Sequence, residues 1–140
     1  MTPHFTLAEL TVTDHRTLDN TPDPAALANL QRLAAFLEKV KELLRFKPIM
    51  ITSAYRSKAV NDAVGSKDTS QHRLGCAADI RVPGMTPDAV VKAITASGLP
   101  FDQCIREFDS WTHISIPNVP DGYPRKMVFI IDKAGPRLFS

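Results

Sequence analysis

The chain has 140 residues, a length that suits one ordinary domain with a single buried core. Hydrophobic residues make up 44% of it and charged residues 23%, which excludes a disordered or fibrous protein. The formal net charge of +2 comes without a basic stripe, so we expect no nucleic-acid partner.

Residues 1–140 contain no repeat, low-complexity tract or interdomain linker, which predicts one domain. No stretch approaches the roughly 18 apolar residues of a membrane helix, and the first six residues lack the features of a secretory signal. We therefore expect neither membrane insertion nor a signal peptide. Cys76 and Cys104 are too few for a disulfide scaffold and are predicted to be free thiols. His4 and His15, in the polar N-terminal region, are expected at the surface.

The N-terminal half predicts one long helix. Residues 7–10 form at most a short helical turn before a polar loop. Asp23 can then cap a helix, and Pro24 suits its first position. Apolar residues follow at intervals of three and four, which predicts an amphipathic helix of about five or six turns. These residues are Leu27, Leu30, Leu33, Leu37, Val40 and Leu44. The helix should end before Pro48.

The remaining elements are short. A buried strand is predicted over residues 49–54, and Ser57 can cap a helix that Gly65 ends near residue 64. Residues 75–82 are predicted to be a loop that enters a strand, and residues 86–98 a helix with its boundary residues. Strands are predicted over residues 101–107, 111–116 and 127–131. This order predicts an α+β fold in which helices pack on one side of a small, mainly antiparallel sheet.

Three separated residues could form a metal site. Alternate side chains of a strand share a face, so Asp79 and His113 can project away from their apolar neighbours toward a cleft. His72 would approach from the loop before the first of these strands, where Gly75 permits a tight turn. Two imidazoles and one carboxylate leave a fourth tetrahedral position open, as in catalytic zinc sites. The alternative is a hydrogen-bonded histidine beside a surface aspartate.

The motifs around these residues resemble a known family. Residues 70–79 match S-x-H-x-x-G-x-A-x-D of the zinc D-alanyl-D-alanine carboxypeptidases at every fixed position, and residues 111–113 match the family's W-x-H. Residues 53–57 resemble its S-x-Y-R-S segment. Residues 7–115 thus resemble the compact peptidase M15 domain of bacteria and phages. That group includes D-alanyl-D-alanine carboxypeptidases and L-alanyl-D-glutamate endopeptidases used as endolysins, and it shares its fold with the hedgehog signalling domain.

The resemblance implies one Zn²⁺ per chain, held by His72, Asp79 and His113. Arg56 matches the family arginine that binds substrate and steadies the developing oxyanion, a role that suits a guanidinium. Ser70 matches a substrate-contacting serine. The alternatives are a surface salt bridge for Arg56 and a loop cap for Ser70.

The general base is where the chain departs from the family pattern. Members commonly carry a glutamate three residues before the last histidine, and here that position is Ser110, which cannot act as a base. The segment 107–111 resembles the E-F-x-x-W variant of phage-type members, so Glu107 is the predicted base and Asp109 the runner-up. Glu107 could instead be a solvated turn residue. Trp111 is predicted to wall the substrate cleft, or else to be a core aromatic.

Together these features predict a monomeric zinc peptidase that hydrolyses a peptide bond in bacterial peptidoglycan. A phage-type endolysin would be made in the host cytoplasm and released through a holin. A virion-associated enzyme or a bacterial remodelling enzyme is the other role. Ser110 keeps open a different class, a catalytically inactive zinc-containing module that binds peptidoglycan. The scissile bond, and the choice between carboxypeptidase and endopeptidase, stay open.

Overall fold

A computed structural model describes residues 1–139, which form five helices and one six-stranded sheet. The helices are α1 (Leu7–Leu10), α2 (Pro24–Leu43), α3 (Lys58–Ala63), α4 (Gln71–Leu74) and α5 (Pro87–Ala96). The strands are β1 (Met50–Ser53), β2 (Ala77–Arg81), β3 (Gln103–Glu107), β4 (Trp111–Ser115), β5 (Met127–Asp132) and β6 (Gly135–Leu138).

The sheet has the order β1-β2-β4-β3-β5-β6, and every neighbouring pair is antiparallel except β3 and β5. The predicted α+β architecture with a mainly antiparallel sheet is confirmed. The parallel pair arises because the chain leaves β4 through residues 116–126 and returns along the outer side of β3. As a result, β5 and β6 extend the sheet on the side away from β1 and β2.

Helix α2 begins and ends where the sequence predicts. The Asp23 side chain accepts a 2.8 Å hydrogen bond from the backbone N–H of Ala26, and Pro24 occupies the first turn. The apolar stripe is buried from Leu30 onward, but Leu27 is 39% exposed, contrary to prediction. Ala26 takes its place on the buried face at this end, one helical turn before Leu30.

One face of the sheet carries the hydrophobic core. Ala78 and Ile80 of β2 and Ile114 of β4 are buried in the same cluster as the apolar residues of α2 and α5. Their sequence neighbours Asp79 and His113 lie on the opposite face, as alternation along a strand requires. The second face of the sheet is therefore left for a site.

The two edges of the sheet differ from the prediction. β1 was predicted as a buried strand, but it is an edge strand that pairs only with β2 and leaves Met50 54% exposed. β6 was not predicted, because Gly135 and Pro136 are turn and edge residues without an apolar alternation. Its pairing with β5 nevertheless forms a hairpin.

Cys76 and Cys104 are both free and fully buried, as predicted. Burial raises the pKa of the Cys104 thiol to about 12, so this side chain behaves as a small apolar residue. Within the described residues, no helix has the length and apolar character needed to cross a membrane.

Candidate metal centre

Three side chains converge on the free face of the sheet. Asp79 of β2 lies directly opposite His113 of β4 in the antiparallel register, and both belong to the set that faces away from the core. His72 comes from the one-turn helix α4 rather than from the loop that the sequence predicted. All three residues are buried, and one potential ligand atom from each lies within 4.8 Å of the others.

The Asp79 carboxylate is the shared partner in this cluster. Its Oδ1 lies 3.3 Å from His72 Nε2 and 3.0 Å from His113 Nδ1. Burial alone would raise the pKa of Asp79, but the hydrogen bond with His113 leads the influences that outweigh it and hold that pKa below its usual range. The carboxyl group is therefore ionised, as a metal ligand must be.

A backbone carbonyl fixes the tautomer of His72. Its Nδ1 lies 2.7 Å from the carbonyl oxygen of Ala54, which can only accept, so the hydrogen is on Nδ1. The Nε2 lone pair then points at Asp79. Burial also lowers the pKa of His72, which favours the neutral imidazole that binds metals. Histidines that bind metals usually donate the hydrogen of their other ring nitrogen in this way, which fixes the orientation of the ring.

These contacts fit a zinc ion. In neutral His72 a lone pair faces a carboxylate oxygen across 3.3 Å, and the two repel unless a cation lies between them. Neighbouring ligands of tetrahedral zinc are about 3.3–3.6 Å apart when the bonds are about 2.0–2.2 Å long. The two measured separations, 3.3 and 3.0 Å, are close to that spacing. The set therefore could hold a metal.

Arg56 extends the cluster. Its Nη2 lies 3.6 Å from Asp79 Oδ2, whereas the contacts of both histidines are with Oδ1. Its backbone N–H donates to the carbonyl of His72, and its Nε donates to Ser53 Oγ at 3.2 Å. The side chain is only 17% exposed, so it is not the surface salt bridge that the sequence left open.

A cavity of about 310 Å³ opens beside the cluster. The predicted residues Arg56, Ser70, Glu107 and Trp111 all line it. Ser70 also caps α4, since its Oγ accepts a 3.2 Å hydrogen bond from the backbone N–H of His72. The cap alternative for Ser70 is thus realised, while the same residue reaches the cavity.

The turn between β3 and β4 separates the two candidate bases. Glu107 pairs with Trp111 across the hairpin and lines the cavity. Burial, reinforced by the charge on Asp79, raises the pKa of the Glu107 carboxyl despite the opposing influence of His113. Asp109 is 74% exposed, pairs with Arg106 at 3.1 Å and lines a different cavity. Only Glu107 therefore lies beside the cluster.

Sequence reasoning missed three further residues of the cavity wall, Ser66, Gln103 and Ile105. The alternation of side chains along a strand could have identified two of them, Gln103 and Ile105. Gln103, Ile105 and Glu107 alternate along β3, and Ile105 lies opposite His113 in the register, so they share its face. Ser66 lies in the loop after α3, and no periodicity places a loop residue.

The profile of the peptidase M15 family matches residues 3–115, well over half of the chain. No curated protein matches the chain. The matched segment contains all three residues of the cluster together with Arg56, Ser70 and Glu107.

The helix that carries His72 depends on a close contact with α2. Gly75 ends α4 at φ +80°, and a Cβ atom there would lie 2.8 Å from the carbonyl oxygen of Ala26. Gly98 has nearly the same φ angle, +78°, but a Cβ atom there would have no neighbour within 4 Å. We predict that Gly98→Ala destabilises the protein by about 1–2 kcal/mol, the cost of the left-handed backbone alone.

Gly75→Ala should cost a further amount of about 1–3 kcal/mol, because α4 must move away from α2. Urea unfolding of both variants measures the difference. Equal losses in the two variants would show that the contact between Gly75 and α2 does not constrain α4.

Proposed function

The chain belongs to the peptidase M15 family of zinc-dependent metallopeptidases, and on that premise we propose that it hydrolyses a peptide bond in bacterial peptidoglycan. We further propose that it does so as a phage-type endolysin. The observation that carries the proposal is one cavity shared by the His72, Asp79 and His113 cluster, a partly buried arginine and a partly buried glutamate. Such a set combines metal binding, an oxyanion partner and a proton carrier.

In this proposal His72 Nε2, His113 Nδ1 and the Asp79 carboxylate hold one Zn²⁺. Bound zinc would lower the pKa of a coordinated water and polarise the carbonyl of the scissile bond. The chain's contribution is to keep His72 neutral and correctly oriented through Ala54, and to keep Asp79 ionised. Three protein ligands would leave a fourth position for water or substrate.

Glu107 is the proposed general base. Its carboxylate takes a proton from the attacking water and then gives it to the nitrogen of the leaving amine. The raised pKa suits a group that must do both, because a general acid–base group works best when its pKa lies near the operating pH.

Arg56 is the proposed oxyanion partner. Negative charge develops on the carbonyl oxygen during attack, and a guanidinium already fixed nearby stabilises it without reorganisation. Ser53 Oγ and Asp79 hold the Nε and Nη2 atoms of Arg56 in place. Ser70 and Trp111 line the same cavity and would contact the peptide on either side of the bond.

The inactive binding module has less support. It rested on Ser110 at the position where relatives carry a glutamate. In the hairpin Ser110 does not line the cavity, and its Oγ accepts a 2.8 Å hydrogen bond from Arg81 instead. Glu107 supplies a carboxylate in that cavity from the neighbouring strand. The cavity therefore keeps a candidate base although Ser110 replaces the glutamate of the family pattern.

We predict about one zinc per chain in protein prepared without a metal-affinity tag, measured by elemental analysis. His113→Ala should lose most of the metal, because two remaining ligands cannot enforce tetrahedral geometry. His15→Ala, which removes a histidine outside the cluster, is the matched control and should keep it. A wild-type protein that takes up no zinc when the ion is supplied would refute this assignment.

Hydrolysis is tested on purified peptidoglycan. We expect the zinc-loaded chain to release soluble peptides, a chelator to stop the release, and added zinc to restore it. Mass spectrometry of the products identifies the bond that is cut and separates a carboxypeptidase from an endopeptidase. Binding to the wall without any released product, at full zinc occupancy, would favour the inactive module.

Glu107→Gln is predicted to keep zinc and the fold but to lower the rate of wall cleavage by about 10²–10⁴, the usual cost of losing a general acid–base group. Glutamine preserves size and hydrogen bonding but cannot take up the proton. Asp109→Asn should change the rate little, since this side chain is exposed and outside the cavity. The reverse pattern would make Asp109 the base, and full activity in both variants would exclude them together.

A further inference from the structure

A second, larger groove joins the cavity beside the metal cluster. It has a volume of about 650 Å³, against about 310 Å³ for the first. The residues that line both are Ser66, Ser70, Gln103, Ile105 and His113. The two cavities therefore adjoin, so a peptide bound at the cluster has the groove beside it.

The floor of the groove is apolar and built from the outer strands. Ile105 of β3 pairs with Phe129 of β5, and Ile131 of β5 pairs with Pro136 of β6. All four residues line the groove. Because the strand order places β5 and β6 beyond β3, this floor extends away from the cluster in one direction, opposite to β1 and β2.

Two cations line the groove and no acidic residue does. Lys67 is exposed and forms no ion pair within residues 1–139. Arg125 is anchored by Asp102, whose side chain is 4% exposed and contacts Arg125 Nη2 at 2.6 Å and Nε at 3.0 Å. The anchor leaves the Nη1 group of Arg125 without a partner in this part of the chain, and the arginine remains half-exposed.

The far wall of the groove lies outside the family match. The match ends at residue 115, whereas Arg125, Phe129, Ile131 and Pro136 all follow it. The metal cluster and the candidate base thus belong to the shared part of the family, and this wall comes from the C-terminal β5–β6 hairpin and from Arg125 just before it. A segment of this kind can change which peptide is selected while the reacting groups stay the same.

We propose that this groove is the specificity subsite for a carboxylate-bearing residue of the substrate peptide. The inference rests on the proposed function, because it assumes that the peptide is bound at the cluster. The aliphatic part of the residue lies on Ile105, Phe129 and Ile131, and the carboxylate pairs with Lys67 and Arg125. Two cations, one of them anchored, in the lining of a groove with an apolar floor favour an anionic group with an apolar stem over a neutral one.

The test uses a soluble peptidoglycan stem peptide and a set of analogues, each with one carboxylate converted to the carboxamide. Binding is measured by titration calorimetry in the zinc-loaded Glu107→Gln background, which is predicted to keep the cluster but to cleave very slowly, so that the peptide stays intact. We expect one of the amides to bind about fivefold to tenfold more weakly than the parent, the usual effect of losing a charged hydrogen-bond partner.

Lys67→Gln and Arg125→Gln should each weaken binding of the parent peptide about fivefold, while binding of the sensitive amide changes less than twofold. This coupling separates recognition of the carboxylate from a general loss of structure. Arg137→Gln is the matched control, because Arg137 lies on the same hairpin and pairs with Asp132 outside the groove. It should bind all peptides as the wild type does.

The proposal is overturned if no amide binds more weakly than the parent, or if the discrimination persists in both groove variants. Cleavage of purified peptidoglycan by the zinc-loaded wild type is measured in parallel. Cleavage without discrimination would leave the proposed hydrolysis intact and remove the subsite. Discrimination without cleavage would leave the groove as a binding site and remove the hydrolysis.

Discussion

The register between β2 and β4 is the constraint on which the rest of the site depends. It places Asp79 opposite His113, so that one carboxylate oxygen lies 3.0 Å from the imidazole across the sheet. A slip of either strand by one residue would turn its own polar side chain into the core and bring Ile80 or Ile114 to the cleft. Burial of the apolar neighbours therefore fixes the polar residues, and the same hydrophobic core that stabilises the fold sets the spacing of the cluster.

The sequence was sufficient for the parts that have a periodicity or a local cap. The spacing of three and four residues predicted α2, and alternation along two strands predicted that Asp79 and His113 share a face. The contact between His72 Nδ1 and the Ala54 carbonyl could not be predicted, because it joins backbone and side chain across 18 positions. The groove was missed for a similar reason, since Lys67, Arg125 and Pro136 are adjacent only after β5 pairs with β3.

The backbone of the turn between β3 and β4 decides whether Glu107 or Asp109 lies beside the metal cluster. Phe108 and Asp109 both have positive φ, and the carbonyl of Glu107 accepts a hydrogen bond from the N–H of Ser110 at 2.9 Å. This geometry matches the right-handed twist of a hairpin, although a non-glycine residue such as Phe108 adopts it at a cost. A 2.8 Å bond from the Phe108 N–H to the carbonyl of Ile131 holds the strained residue. Glu107 therefore remains in β3, whereas Asp109, two residues later, is exposed to solvent.

The position of Trp111 has a practical consequence. It is the only tryptophan of the chain, it lines the cavity beside the metal cluster, and the ring of Phe108 lies 5.8 Å away. All indole emission of this protein therefore originates within the cleft itself. Ligand binding in the cleft can therefore be followed without a label, because it changes the intensity or the wavelength of the Trp111 fluorescence.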